Sequence, residues 1–390
     1  MRMAAVAAGL AVPALVSGRA TLGLLCLVTL AATLAAPGLR AAWRRTLKAA
    51  VTPLGFGVLA VLASWLVSTA LSYNPWTSAQ TWGRVTVFVG ATAFLVHRLK
   101  ADRAALALGG KTLVAASVAA AAIAIIGPTV LPDLVALVRG KAPGWHGYEA
   151  AQALKGFGSA LACLMPVVLW AGTFADGRWR LAAFAFQPLA VAAMAVTESE
   201  AGLAGAALAL LAGAATWFRR GLGLAATLAI VLGGAVAALL AGFGPLGPGF
   251  AAIDPHRQAI WAAALAYWPE APLFGHGVDV ANLLPGADAI VPAFNQARIP
   301  SHPHDWAVEV MVETGLAGSA ALMAAIAQLT VRIAHLDRAG SAAGLGLMAA
   351  FWGSGLVNFS LWAAWWQGVL LILLAFLLAT GGRARPPSGS

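Results

Sequence analysis

The chain has 390 residues, of which 61% are hydrophobic and only 10% are charged, and its mean hydropathy is +0.84. This composition leaves too little polar surface to cover a water-soluble globule, so it predicts an all-α, polytopic transmembrane helical bundle. The formal net charge of +10 is dispersed over short loops and forms no basic stripe interleaved with aromatic residues. We therefore expect membrane lipids, and no nucleic acid, among its partners.

Twelve apolar stretches are predicted to cross the membrane, because a spanning helix needs about 20 mostly apolar residues. They lie at residues 3–17, 20–36, 50–71, 83–97, 110–127, 156–173, 181–197, 201–217, 221–243, 306–327, 342–360 and 362–380. The first stretch is short, but the letters VSGRA after it lack a small-x-small cleavage site, which favours a retained helix over a signal peptide. We expect one integral membrane domain over residues 1–390, with about 12 transmembrane helices.

The basic residues indicate the orientation, because lysine and arginine are enriched in cytoplasmic loops. If the N-terminus is inside, most of the 24 basic residues lie in cytoplasmic loops, and the tail at residues 381–390 is cytoplasmic too. The two long loops, residues 128–155 and 244–305, then lie on the outer face. Loops of such length are uncommon unless they are functional.

The second long loop contains a helical pattern. The letters RQAIWAAALAYW, residues 257–268, place Trp261 and Trp268 at a spacing that suits anchors in the membrane interface, so we predict a helix near the membrane surface. The letters GFGPLG, residues 242–247, match a dinucleotide-binding glycine pattern, but they end a membrane helix and follow no strand. We interpret them as a turn.

The same loop ends in SHPHDWAVEVMVETGLAG, residues 301–318, which places two histidines at the start of the tenth predicted span. Histidine exchanges protons near neutral pH, so either His302 or His304 could act as a general base. An interfacial histidine that only donates hydrogen bonds is the alternative. A zinc site is disfavoured, because Pro303 restricts the backbone and no cysteine is nearby.

Three carboxylates follow in that segment at helical spacing. Asp305 suits the N-cap of the tenth span, and this purely structural role competes with a functional one. Glu309 and Glu313 recur four residues apart on the same helix face and descend into the apolar layer. Carboxylates at such depth are costly and usually mark a function or an internal partner.

Cationic side chains gather on the outer face as well. They are Arg84, Arg139, Lys141, Lys155, Arg257 and Arg298. Arginine binds phosphate oxygens in bidentate fashion, so this group predicts a lipid-linked phosphate or diphosphate as the ligand. Contacts with ordinary lipid head groups are the alternative for Arg139 and Arg298.

The order of motifs resembles the C-terminal half of the bacterial O-antigen ligase and O-antigen polymerase superfamily, over roughly residues 155–375. The segments that carry the resemblance are RQAIWAAALAYWPEAPLFGHGVD, SHPHDWAVEVMVETGLAG and LWAAWWQGVLLILL. Members commonly show an arginine with a following tryptophan, a proline-leucine-glycine-x-glycine turn, a histidine-asparagine pair that opens a helix, and a glutamate-threonine-glycine close.

The resemblance implies a GT-C-like glycosyltransferase of the bacterial inner membrane that works at the periplasmic face without a cofactor or metal. Its donor would be a glycan linked to undecaprenyl diphosphate, and its acceptor would be lipid A core or a growing glycan. His304 would be the essential loop histidine and Arg257 would hold the diphosphate. The further substrate-binding candidates are Arg84, Lys155, Arg298, His302, Asp305, Glu309 and Trp261.

Two positions depart from the family pattern. Asp305 stands where asparagine is usual, and TESEAG, residues 197–202, has Glu200 where many relatives carry an arginine. The second change removes an expected phosphate contact, which Lys155, Arg84 or Arg298 would then supply.

The expected mechanism gives His304 the proton of the acceptor hydroxyl and Arg257 the charge of the departing diphosphate, with Asp305 or Glu309 orienting the imidazole. A ligase is favoured, while a polymerase or a protein-glycosylating relative stays open. A transporter of lipid-linked saccharides is the alternative from another class. Transporters place polar residues near the bilayer midplane of repeated halves, whereas the charges here gather in one outer loop.

Overall fold

The computed structural model describes residues 1–173, 177–244 and 254–380. Over these ranges the protein is a helical bundle, as predicted, and β-structure is confined to a short antiparallel hairpin formed by β1 (Ile290–Val291) and β2 (Gln296–Ala297). The predicted tail at 381–390 and parts of the turn at 242–247 and of the loop at 244–305 lie outside the described residues.

In the N-terminal half, capping side chains and prolines mark the starts of several helices. Thr52, Asn74 and Asp102 each accept a hydrogen bond from the backbone N–H three residues on, and prolines open several helices at a position that needs no N–H donor. The helices are α1 (Arg2–Ala11), α2 (Arg19–Ala35), α3 (Leu39–Ala50), α4 (Pro53–Ala70), α5 (Pro75–Ala101), α6 (Arg103–Val130), α7 (Pro132–Val138) and α8 (Gly147–Gly172), with a 3-10 turn at Pro13–Val16.

The C-terminal half continues with α9 (Gly177–Val196), α10 (Glu200–Phe218), α11 (Arg220–Leu228), a π-helical turn at Ala229–Gly233, α12 (Gly234–Gly242), α13 (Pro255–Leu265), α14 (Trp306–Ala334), α15 (Arg338–Gly355) and α16 (Ala364–Ala379). Two 3-10 turns, Trp268–Glu270 and Ala281–Leu283, lie between α13 and α14. The helix predicted within the outer loop is confirmed as α13.

Each of the twelve predicted stretches overlaps a helix, but fewer helices meet the length and composition of a membrane span. Seven described helices do so, or eight if the pair α2 and α3, bent by 112°, counts as one span. Helices α1 and α16 are apolar but short, and the 10 residues of α1 reach only about half of the hydrocarbon thickness. The number twelve therefore stays a prediction.

Two predicted boundaries differ from the observed ones. The interval 128–155 was expected to be a loop, but it contains α7 and the first turns of α8, because Asp133 accepts N–H bonds from Gly144 and Trp145 and folds the chain back. The span predicted at 342–360 ends at Gly355. Residues 356–363 leave the helix and enter the candidate site described below.

Small residues allow the central helices to approach closely. A methyl group added at Gly205 of α10 would lie 3.3 Å from Ala162 of α8 and 3.4 Å from the Ala350 carbonyl of α15. The alanine- and glycine-rich composition of these spans thus serves packing, since small residues let helix backbones come together in a membrane.

The outer segment between α12 and α14 has a hydrophobic core of its own. Trp261 and Leu265 of α13 pack with Leu284 and Ile299 of the following loops and with Val308 of α14. This cluster holds the loops and the start of α14 as one unit, which positions the candidate site.

Helix α14 is broken by a kink that receives a turn of the outer segment. At Gly315 the backbone adopts φ 63° and ψ −166°, and an added Cβ would collide with the backbone of Leu273. Four backbone bonds join the kink to the turn at residues 272–277: His276 N to Val312 O, Gly277 N to Glu313 O, Leu316 N to Pro272 O and Ala317 N to Leu273 O, at 2.9–3.1 Å.

Candidate active site

Two histidines at the start of α14 converge on one carbonyl oxygen. His302 Nε2 lies 2.9 Å and His304 Nδ1 lies 3.0 Å from the backbone oxygen of Asn358, in the segment between α15 and α16. The two rings are 4.2 Å apart between centroids. The partner of the predicted histidine base is therefore a main-chain carbonyl, whereas the sequence analysis expected Asp305 or Glu309 to orient the ring.

This geometry assigns the tautomer of His304. A carbonyl oxygen can only accept, so Nδ1 of His304 carries the proton and Nε2 keeps its lone pair. His302 likewise donates from Nε2 to Asn358, and its Nδ1 lies 2.8 Å from the Ser301 hydroxyl. Of the two rings, His304 thus offers an unprotonated nitrogen with no assigned hydrogen bond.

The surroundings keep His304 neutral. Burial lowers its pKa to about 4, electrostatic interactions with His302, Arg257 and His256 act in the same direction, and the bond to Asn358 opposes them. Burial also lowers the pKa of His302. At neutral pH a group with such a pKa is unprotonated and able to accept a proton.

The backbone of His304 is held in an unfavourable conformation. Its φ of 59° lies in the left-handed region, which residues with a Cβ rarely adopt and which is often found at functional sites. The preceding carbonyl, of Pro303, accepts a hydrogen bond from Trp261 Nε1 at 3.0 Å. Trp261 is 1% exposed, so the structure corrects its predicted place as an interfacial anchor: it is buried beneath the histidine loop.

Asp305 caps α14, as the structural alternative predicted. Its Oδ1 accepts from Ala307 N at 2.7 Å and Val308 N at 3.0 Å, while Oδ2 is buried without a hydrogen-bond partner. Burial raises the pKa of Asp305 to about 7, although the two N–H bonds and the charge of Arg257 oppose the shift.

Arg257 lies in the first turn of α13, where Asp254 caps the helix and pairs with the guanidinium at 3.1 Å. About a third of its side chain is exposed. Its charge lowers the pKa of both His304 and Asp305, which places the guanidinium in the electrostatic environment of the histidine loop. Arg257 therefore lies within electrostatic range of His304, and the catalytic role of the two residues stays a prediction.

Glu309 and Glu313 hold loops in place. Glu309 Oε2 accepts from Leu361 N at 2.7 Å, which fixes the segment that carries Asn358. The carboxylate of Glu313 accepts from the backbone N–H groups of residues 279, 280 and 281 at 2.7–2.9 Å and from the indole of Trp362. Both carboxylates are buried at 1–2% exposure, so Glu309, predicted to bind substrate, lies behind the site as a positioning residue.

A further polar group lies on the other side of His302. Asp279 contributes an electrostatic interaction to His302 and accepts a hydrogen bond from Thr81 of α5 at 2.7 Å. One turn on, Arg84 donates from Nη2 to the Trp362 carbonyl at 2.6 Å. The predicted contact residue Arg84 thus lies beside the same segment that receives the histidines.

The remaining predicted residues are less closely tied to the histidine loop. Lys155 is half-buried in α8, where its carbonyl accepts from Ser199 of the TESEAG segment, and Glu200 begins α10. Arg298 is exposed and follows the β-hairpin, where its backbone N–H donates to Ala289. Their expected role as substitutes for the family arginine stays a prediction.

Sequence reasoning missed two contributors, Asn358 and Asp279. Asn358 is one of two polar residues in GLVNFSLW, residues 355–362, and these letters interrupt an otherwise apolar C-terminal region. Asp279 has a φ of 63° and follows the turn at residues 272–277. Each of the two is a polar residue within an apolar stretch, but the residues that they contact lie far away in sequence.

Comparison with known protein families supports the resemblance found in the sequence. Residues 185–323, from within α9 to the middle of α14, match the family model described as O-antigen ligase. That match confirms the resemblance to the O-antigen ligase and polymerase superfamily. It includes Arg257, His304 and the docked turn, while Asn358 and α16 lie beyond it. No curated protein matches the chain.

The matched family and the apolar helices together support an O-antigen ligase or polymerase type of function in a bacterial membrane. Among the described residues, no cluster of three or more His, Cys, Asp or Glu side chains is arranged to hold a metal ion.

Proposed function

We propose that this protein is an O-antigen ligase of the bacterial inner membrane. It transfers a glycan from undecaprenyl diphosphate to a hydroxyl of lipid A core at the periplasmic face. The observation that carries the proposal is the hydrogen bond from His304 Nδ1 to the Asn358 carbonyl at 3.0 Å, which leaves Nε2 free to accept a proton at a site that the charge of Arg257 influences.

The chemistry follows from those two groups. The acceptor hydroxyl loses its proton to His304 Nε2 as its oxygen forms a bond to the anomeric carbon of the donor sugar. The bond between that carbon and the diphosphate oxygen breaks, and its electron pair stays on the diphosphate. Arg257 stabilises the resulting negative charge. We expect this stabilisation to make the largest contribution to the rate, because the leaving group is anionic.

The surrounding residues position this pair. Glu309 fixes the segment of Asn358, whose carbonyl accepts from both imidazoles, and the backbone of His304 is held in the left-handed region. The raised pKa of Asp305 leaves that carboxyl partly neutral near pH 7, which reduces its electrostatic repulsion of the diphosphate anion.

A polymerase that extends the glycan on the same lipid carrier is the second candidate, because the match with the family supports both kinds of enzyme. A strain without the gene distinguishes them. Loss of all capped lipopolysaccharide indicates a ligase, whereas capping with single repeat units indicates a polymerase.

The catalytic assignment is tested by complementing that strain with variants. We expect His304→Ala and Arg257→Ala to lower glycan transfer by about 10²-fold or more at unchanged protein abundance. The matched controls are His335→Ala and Arg332→Ala, at the exposed opposite end of α14, and they should restore wild-type banding. Normal banding with either His304→Ala or Arg257→Ala contradicts the assignment.

A further inference from the structure

An apolar groove runs along the bundle between α2, α5 and α16, with a volume of about 330 Å³. It extends from Leu22 to Thr33 on α2 and is bordered by Phe88 on α5 and Gly368 on α16. Glycine at position 23 leaves the Leu22 end of the groove open, since an added Cβ there would meet no atom within 4 Å.

One end of the groove is flanked by arginines. Arg19 lies one turn before Leu22 and its guanidinium is 5.0 Å from the ring centroid of Trp365, the neighbour of the lining residue Ala364. Arg84 lies one turn before the lining residue Phe88 on α5. Both helices therefore place a cation directly above the apolar lining.

The charge at this end is not neutralised by the protein. Arg139 lies near Arg19, whose positive charge adds to burial in lowering the Arg139 pKa. The Nε of Arg84 is buried without a hydrogen-bond partner. Within the described ranges, none of these three arginines forms an ion pair with a carboxylate, which suits an anionic ligand.

The cationic end adjoins the candidate active site. The charge of Arg19 acts on His302, and Arg84 donates to the carbonyl of Trp362 in the segment that carries Asn358. A lipid lying in the groove would thus present its head group at the histidines.

We propose that this groove holds the polyprenyl chain of the lipid-linked donor and that Arg19 and Arg84 contact its diphosphate. The inference rests on the proposed glycosyltransferase function. A polyprenyl phosphate carries one long chain on its head group, which suits a single groove with one charged end. Ordinary phospholipids carry two chains and would leave one of them outside.

The test blocks the groove from within. Gly23→Phe fills it, and Gly90→Phe is the matched control on α5, because an added Cβ at Gly90 also meets no atom within 4 Å and Gly90 does not line the groove. Both purified full-length variants are compared with wild type for undecaprenyl phosphate binding by native mass spectrometry, with phosphatidylglycerol as competitor. Thermal unfolding verifies that both are folded.

We expect about tenfold or greater loss of undecaprenyl phosphate binding in Gly23→Phe and none in Gly90→Phe. Equal binding by Gly23→Phe and wild type, equal loss in both variants, or displacement by an equal amount of phosphatidylglycerol overturns the groove proposal.

A donor whose diphosphate carries a methyl group in place of the polyprenyl chain separates this proposal from the enzymatic one. Gly23→Phe should lose transfer from the long-chain donor and keep transfer from the methyl donor, which has no chain to reach Gly23. Gly23→Phe could lose lipid binding while wild type transfers glycan from neither donor. That result would support the groove proposal and contradict the proposed glycosyltransferase function.

Discussion

At the residue scale, the central feature is the environment of His304. A histidine at the water boundary is ordinarily half-protonated near pH 6.5. Here burial and neighbouring cations keep it neutral, and Asn358 fixes which nitrogen is free. The sequence predicted the histidine but not this partner, because Asn358 is 54 residues away and no local pattern joins the two.

The pH dependence of glycan transfer reports this environment. A general base works only when it is unprotonated. The transfer rate should therefore fall as the pH is lowered and His304 takes up a proton, with a midpoint near pH 4 in place of 6.5. The measurement is the transfer rate of reconstituted Asp305→Asn protein between about pH 3 and 8, since that variant lacks the carboxyl that titrates nearby. A midpoint near 6.5 contradicts the buried, neutral histidine.

Asp305 should make the free energy of unfolding decrease as the pH rises. Its folded pKa of about 7 lies above the ordinary 3.8, so the folded state retains a proton that the unfolded state has lost. The associated stability is fully present below pH 3.8 and is lost as the pH rises through 7.

Asp305→Asn removes that loss but keeps a capping oxygen. We expect the variant to exceed wild type in unfolding free energy at pH 8 by on the order of 4 kcal/mol, with the gap closing toward pH 4. The measurement is denaturant unfolding in detergent at several pH values. A gap of constant size across that range contradicts the raised pKa.

At the element scale, two of the three segments that carry the family resemblance are hydrogen-bonded to each other. The turn at residues 272–277 bonds to α14 at the kink, and Gly315 permits the close backbone approach. Sequence patterns identified both segments but did not show that they contact each other. The contact is made by main-chain atoms, which do not depend on residue type. The fold within 128–155 was missed because Asp133 accepts from backbone N–H groups that lie 11 and 12 residues further along the chain.

Gly315→Ala should therefore destabilise the protein by about 2 kcal/mol or more, because alanine is strained at positive φ and its methyl group meets the backbone of Leu273. The control is Gly83→Ala in α5, where the added Cβ meets no atom within 4 Å and a helical alanine is favourable. Unfolding temperatures of the two variants are compared with wild type. Equal effects of the two substitutions would show that the kink does not depend on Gly315.

At the scale of the whole molecule, apolar composition predicted a polytopic helical bundle, and the described helices agree with it. The side on which the candidate site lies depends on the distribution of basic residues and stays a prediction. Helix α14 offers a direct test, since the histidine loop and Arg332 lie at its opposite ends.

Single cysteines introduced into a cysteine-free background give that test. The exposed Arg298→Cys should react with a membrane-impermeant maleimide applied from the periplasm, whereas Arg332→Cys should react only after the membrane is permeabilised. The reverse labelling pattern would place the histidine loop in the cytoplasm and exclude a periplasmic transfer reaction.

The most direct measurement of the central claim is the yield of free polyprenyl diphosphate in proteoliposomes that contain purified protein, lipid-linked donor and lipid A core. We expect wild-type protein to release one diphosphate for each glycosylated acceptor. With His304→Ala, the rate of release should be lower by about 10²-fold or more. Movement of the intact lipid-linked glycan across the bilayer without diphosphate release would contradict it and identify a transporter.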